Sequence, residues 1–181
     1  MEYALVVLGF VKAVMVADAT FISNHGAEAA ASYGYASGTW VQTETKVGIG
    51  YAYRDSTFYA RARGTSKSGT SPATTTTAGD TLTINLHADG AQTITLATSA
   101  SADLVAADIQ AKVRALTPNN EGNSAAFTGF VCFYDISMSR YYLMSPFYGQ
   151  YSTVVVSGGT VADELKLGTS NGGTETDGDG E

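Results

Sequence analysis

The sequence predicts an α+β, mainly β chain: antiparallel sheet with one packed helix, preceded by an N-terminal β-rich region. Three observations predict it. Two runs, 81–86 and 92–96, alternate apolar and polar residues on either side of Asp89-Gly90. Val105, Ile109, Val113 and Leu116 then recur at helical spacing. Beyond them, aromatic and β-branched runs return between turn residues. Period two reads as a half-buried strand and a period near 3.6 as one face of a helix.

Leu82, Ile84 and Leu86 face one way and Thr81, Thr83 and Asn85 the other. Asp-Gly is a strong hairpin signal, so 81–86 and 92–96 are expected to pair. Ser101 is placed to cap the helix, with Asp103 in its first turn and Lys112 and Arg114 near its end, complementing the helix dipole. Pro118-Asn119-Asn120 stops it. Strands are expected over 127–134, 140–144 and 153–156, with Asp135–Ser139 as a turn. Val161 to Leu167 reads as a last helical turn ended by Gly168. Leu82, Ile84, Ile94, Leu96, Val105, Ile109, Val113 and Val155 are expected to share one core, because each element presents a single apolar face.

The chain divides into 1–64, an N-terminal assembly region; 65–79, a linker by its Thr/Ser/Gly/Pro composition; 80–168, a β-β-α-β-β-β module; and 169–181, a flexible acidic tail, mobile or ordered only by contacts. In the first region Lys46 to Tyr53 alternates as a strand, 57–63 returns, and 27–31 is open between helix and loop. Residues 3–22 read as two strands broken near Gly9, with a single apolar helix as the alternative. Lys12 and Asp18 interrupt the apolar run, which is then too short for a membrane span and lacks the basic start of a secretory signal.

The formal charge of the 181 residues is −7, and only 15% are charged, against roughly 25% in typical soluble domains. An acidic balance argues against nucleic acid as a partner, since phosphate neutralisation needs Lys and Arg. Cys132 is the one cysteine and stands in an apolar run; a small buried hydrophobe is the expectation, a nucleophile the alternative. His25 lies in a turn-like Ser-Asn-His-Gly, and His87 beside the hairpin turn; neither has enough companions for a metal site. Asp177-Gly-Asp-Gly-Glu181 lacks the length and scaffold of a calcium loop. No catalytic constellation, metal site or cofactor is expected. Tyr51, Tyr53, Arg54, Phe58, Tyr59, Arg61 and Arg63 mix Tyr and Arg as interfaces do, and are the candidate site residues; a solvated sheet face, or nucleic acid or sugar contact, are the alternatives. Tyr141, Tyr142, Phe147, Tyr148 and Tyr151 form a second aromatic group.

The Leu-Thr-Ile, Asp-Gly, Ile-Thr-Leu hairpin (81–86, 89–90, 92–96), the helix 101–116 and Glu164-Leu-Lys-Leu-Gly168 together resemble a small β-rich module of phage tail and head proteins, related to inserts in tail-sheath-like and flagellin-like proteins. The resemblance covers about half the chain and departs from the pattern at Pro146–Tyr151, where a Gly-rich stretch is usual. It implies a non-enzymatic virion structural protein of a bacteriophage, a capsid decoration or tail component. Its partners would be copies of itself and other virion proteins, with no nucleic acid and no membrane. The alternative is a subunit of a bacterial or archaeal surface filament, flagellin-like or pilin-like. Residues 1–64 are expected to hold the protein in its particle, with 80–168 projecting.

Overall fold

A computed structural model describes residues 1–8, 10–43, 52–54, 57–59, 62–149 and 151–178, with side chains left undescribed at 10, 52–54 and 57–59. The fold is mainly β α+β, all strand pairing is antiparallel, and the chain forms two compact units, Met1–Arg61 and Ala62–Glu181.

Unit 1 is a five-stranded sheet with one helix. β1 (Glu2–Val7) and β2 (Phe10–Val16) form a hairpin turning at Leu8, whose φ is +51°. β3 (Thr39–Thr43), β4 (Ala52–Arg54) and β5 (Thr57–Tyr59) complete the order β3-β1-β2-β4-β5. The apolar run is therefore two strands, and it ends at Val16. Asp18, an interruption in the apolar pattern, caps α1 (Ala19–Ser32) by accepting from Phe21 N–H at 2.7 Å. Trp40, Leu5 and Ala13 stand in register on the face that meets Ala30 of α1; Ala4, Val6 and Val11 cluster on the other face. Trp40 Nε1–H donates to the Gly26 carbonyl at 2.7 Å, and a Cβ at Gly26 would press on that indole ring at 3.0 Å. The close approach of helix and ring thus accounts for a glycine in mid-helix.

Unit 2 packs two sheets around one core. The first has the order β11-β7-β8, from β7 (Thr81–Leu86), β8 (Ala91–Thr95) and β11 (Val154–Gly158). The second has the order β12-β6-β10-β9, from β6 (Arg63–Lys67), β9 (Val131–Asp135), β10 (Arg140–Tyr148) and β12 (Thr174–Thr176). α2 (Ala102–Arg114) is capped by Ser101 as its sequence predicts, and Val105, Ile109 and Val113 are fully buried. They join Leu82, Ile84, Leu86, Ile94 and Leu96 in one cluster with residues of β9, β10, β11 and the 161–167 turn.

Three expectations need correction. Val155 is on the solvent side; Val154 and Val156 are the buried pair, opposite Leu86 and Ile84 of β7. Residues 127–128 end a short helix, α3 (Ser124–Thr128), before β9 begins. Residues 65–79 are built into unit 2 and are not a linker. Lys67, Ser66 and Thr65 pair with Tyr142, Leu143 and Met144, Ser68 N–H donates to the Tyr141 carbonyl while its hydroxyl accepts from Tyr141 N–H, and Thr76 bridges Ser99. Tyr141 is fully buried, and its hydroxyl donates to the Ala73 carbonyl at 2.9 Å. The acidic tail, expected to be mobile or ordered only by contacts, takes the second alternative as far as residue 178: β12 pairs with β6, and Glu175 accepts from Val156 N–H at 2.6 Å. Residues 179–181 lie outside the described residues.

Ile109→Ala is expected to lower unit 2 stability by about 2–5 kcal/mol, the range for emptying a packed aliphatic site. Val155→Thr, on the solvent side, is expected to stay within about 0.5 kcal/mol. Urea unfolding of both variants checks the strand parity, and equal losses would contradict it. Limited trypsin digestion of the native chain is expected to spare Lys67, because its strand is paired on both sides. A first cut at Lys67 would show that 65–79 opens on its own.

Candidate functional site

The predicted Tyr/Arg cluster divides between the two units. Tyr53 and Arg54 lie on β4 and Phe58 and Tyr59 on β5, a hairpin in which Tyr53 opposes Phe58 and Arg54 opposes Thr57. Tyr51 and Arg61 lie outside the described residues. Arg63 begins β6 in unit 2, with its guanidinium carbon 5.1 Å from the centroid of the Tyr148 ring, a cation–π placement. Around it the exposed side chains of Phe147, Tyr148 and Tyr151 form one aromatic end of unit 2. Ser152 ties this end to β6: its hydroxyl accepts from Gly64 N–H at 2.9 Å and donates to the Phe147 carbonyl at 2.7 Å. A side chain at Gly64 would collide with the Ser152 carbonyl.

The four-stranded sheet presents a second surface. Directly opposed residues of antiparallel strands share a face. The row Ser66, Leu143, Cys132 is buried, so the rows on either side of it point outward. These outward rows are Thr174, Lys67, Tyr142, Phe133 and Thr176, Thr65, Met144, Val131. Phe133 and Tyr142 stack, with centroids 5.1 Å apart and planes 7° from parallel. Just beyond, the β9–β10 turn carries Ile136 at 75% exposure and Met138 at 60%. The turn is rigid. Asp135 Oδ1 accepts from Ser137 N–H at 2.8 Å, Ser137 hydroxyl at 2.6 Å and Met138 N–H at 3.1 Å. The Ser137 hydroxyl first, and then the Met138 amide, hold the Asp135 carboxyl below its ordinary range. Two large apolar side chains inside a turn are the signal in the sequence that points to this surface.

Among the described residues, His87 Nδ1 and Arg63 Nε are buried in unit 2 without a hydrogen-bond partner, whereas the buried Asp89 carboxylate is heavily bonded. Asp89, 7% exposed, receives Asn119 N–H at 2.7 Å, Asn120 N–H at 2.9 Å, Asn123 Nδ2–H at 2.9 Å and Gln92 Nε2–H at 3.2 Å. Burial alone raises its pKa; the hydrogen bonds from Asn119, Asn120, Asn123 and Gln92 together outweigh it and lower the carboxyl below its ordinary value. The expected tight turn at Asp89-Gly90 is instead centred on His87 and Ala88, both near φ +55°, closed by Asp89 N–H to the Leu86 carbonyl at 3.0 Å. Both residues sit in the region that favours glycine, and the Asp89 network clamps them there. His87 packs its ring 5.4 Å from Phe147. Burial pushes the Cys132 thiol up, out of the range of a nucleophile.

In unit 1, His25 lies on α1 with Nδ1 3.3 Å from Glu28 Oε2 and its ring 5.3 Å from Phe21. Both border an open groove of about 360 Å³ between β2 and α1. Among the described residues no group of three or more His, Cys, Asp or Glu is placed to hold a metal ion, and no helix is long and apolar enough to cross a membrane.

Asp89→Asn is expected to cost about 1–3 kcal/mol at neutral pH, since one of the two carboxylate oxygens becomes an NH2 and the backbone amide bonded to that oxygen loses its acceptor. The folded pKa of Asp89 lies below the unfolded one, near 3.9. Its contribution is therefore complete above that value and is lost as pH falls through the folded pKa. The gap between wild type and Asp89→Asn in urea midpoint should narrow from pH 7 to pH 3; a gap that does not change with pH rules the carboxylate out as its source.

No protein-family model, no curated protein and no solved structure matches this chain, so its function is argued from these surfaces.

Proposed function

We propose that this chain is a non-enzymatic structural subunit that works by packing against neighbouring subunits, and that its setting is a phage particle, as a capsid decoration or tail component. The observation that carries this is the display of large apolar side chains on rigid scaffolding. Ile136 and Met138 stand on a turn locked by Asp135, next to the Phe133–Tyr142 stack. Such positions are costly to leave in water and are typical of protein contacts. The low charge of the chain is in keeping with burial against neighbours. The phage setting rests on the resemblance of the 81–116 pattern.

Exposed apolar residues occur on both units, with Leu8, Val16, Phe21 and Tyr33 on the first and Phe133, Ile136, Met138 and Tyr151 on the second. Assembly contacts are therefore assigned to both units and not to residues 1–64 alone. The runner-up, a surface filament subunit, loses ground on one point. Its pilin-like form needs a long apolar axial helix, and residues 2–16, the segment read as a candidate for one, form a β-hairpin.

Mass spectrometry of purified virions, with a side-chain-resolution map of the particle, is expected to find this chain with Ile136 and Met138 buried against another subunit. Finding it in a cellular filament, or as a free monomer with the 133–142 surface in solvent, would overturn the proposal.

A further inference from the structure

We infer that the Ile136–Met138 tip of one copy docks into the groove between β2 and α1 of a second copy, a head-to-tail contact between identical chains. This rests on the assembly role proposed above and names the partner.

The chain carries both halves of a complementary pair. The convex half is the β9–β10 turn: two exposed apolar side chains, pre-set by three hydrogen bonds to Asp135, with Arg140 paired in register at its base. Backbone ordering costs are low for a knob whose turn is already held. The concave half is an open groove of about 360 Å³ lined by Met15, Phe21, Ala29 and Tyr33, with His25 and Glu28 also bordering it. That volume is at the low end for binding pockets, about 300–1,000 Å³, and suits two side chains better than a long peptide. Phe21 and Tyr33 are 40% and 50% exposed, so the groove has unfilled apolar surface.

The charges agree with the fit. Glu28, with its side chain 83% exposed, offers the groove's anionic group, and Arg140 is the cation at the base of the tip. A lipid surface is the poorer match. Anionic membranes are held by clusters of basic residues, and this chain carries a net charge of −7 with only Arg140 and Lys67 along the tip and its stacked row. Because tip and groove are different surfaces, the contact is heterologous: repeated, it closes a ring or extends a file of subunits.

The test uses full-length chains with one new cysteine each, Met138→Cys on the tip and Ser32→Cys at the groove. The native Cys132 is buried, with its thiol pushed up, and stays silent. Equal amounts of the two variants are mixed under mild oxidation, and disulfide-linked dimers are scored on non-reducing gels. Dimers are expected in the mixture and not in either variant alone. Adding Ile136→Asp to the Met138→Cys chain should lower the dimer yield roughly tenfold or more, the scale of losing an interface hot spot. A urea midpoint like that of the Met138→Cys chain shows that the added charge leaves the fold intact. Dimers from Met138→Cys alone would mean that tip meets tip and would overturn the inference. So would Ile136-dependent binding of wild type to anionic vesicles. No dimer in the mixture, while wild type still sediments as an oligomer or enters particles, sinks the tip–groove contact and leaves the assembly role standing. A wild-type chain that is monomeric and absent from every particle sinks both.

Discussion

Unit 2 depends on covering α2 from two directions. Its stripe of Val105, Ile109 and Val113 is fully buried, and burying an aliphatic side chain of this kind contributes about 1.5–3 kcal/mol. The β7–β8 hairpin and the β9–β10 hairpin belong to different sheets, and both contribute to the cluster around that stripe. Apolar burial has no direction, so it cannot by itself fix where the helix sits along the strands. Three polar side chains on the helix do. Asp108 accepts from Ala97 N–H at 2.7 Å, on the β8 side. Gln110 accepts from Cys132 N–H at 3.0 Å, and Arg114 Nε–H donates to the Phe130 carbonyl at 2.7 Å, on the β9 side. Each satisfies a backbone group at a strand or its approach that would otherwise lie unpaired against the helix.

The parts of the fold that were legible are those whose signal is local. The 81–96 hairpin, the α2 stripe and its Ser101 cap need only a few neighbouring residues to specify them. The illegible parts are those whose partner is distant in the chain. Thr153 to Val156 contains no alternation, so which valines point inward is set by register with Leu86 and Ile84, seventy residues away in sequence. The 65–79 segment has the composition of a linker because hydroxyls and glycines dominate it. Yet Ser68 Oγ accepts from Tyr141 N–H at 2.9 Å, Ala73 N–H donates to the Glu164 carbonyl at 2.8 Å, and Thr76 Oγ1 donates to the Ala97 carbonyl at 2.9 Å. Composition reports how much apolar surface a segment can bury; it does not report whether its backbone has partners.

The candidate site shows the same division. The Tyr/Arg pattern of 51–63 singles out residues with interface chemistry, but the unit boundary falls inside it, and Arg63, beyond that boundary, lies against the Tyr148 ring. A run of suitable residues says nothing of which units its members join. The 135–139 turn hides its signal for the opposite reason. Its polar residues, Asp135, Ser137 and Ser139, explain the change of chain direction so fully that Ile136 and Met138 look incidental.

They are not incidental to the energetics. A turn needs Asp135 to bind backbone amides and Ser139 to accept a φ of +51°, but it needs nothing apolar between them. An Ile and a Met there gain little within the monomer, where they stay 75% and 60% exposed. The same side chains, removed from water by a neighbour, contribute on the order of 1.5–3 kcal/mol each. The Asx geometry fixes the turn backbone beforehand, so that burial has only the side-chain rotamers left to order. A surface built this way favours contact over solvent without weakening the unit that carries it. The fold below is held by α2 and its polar anchors, whether or not the tip is covered.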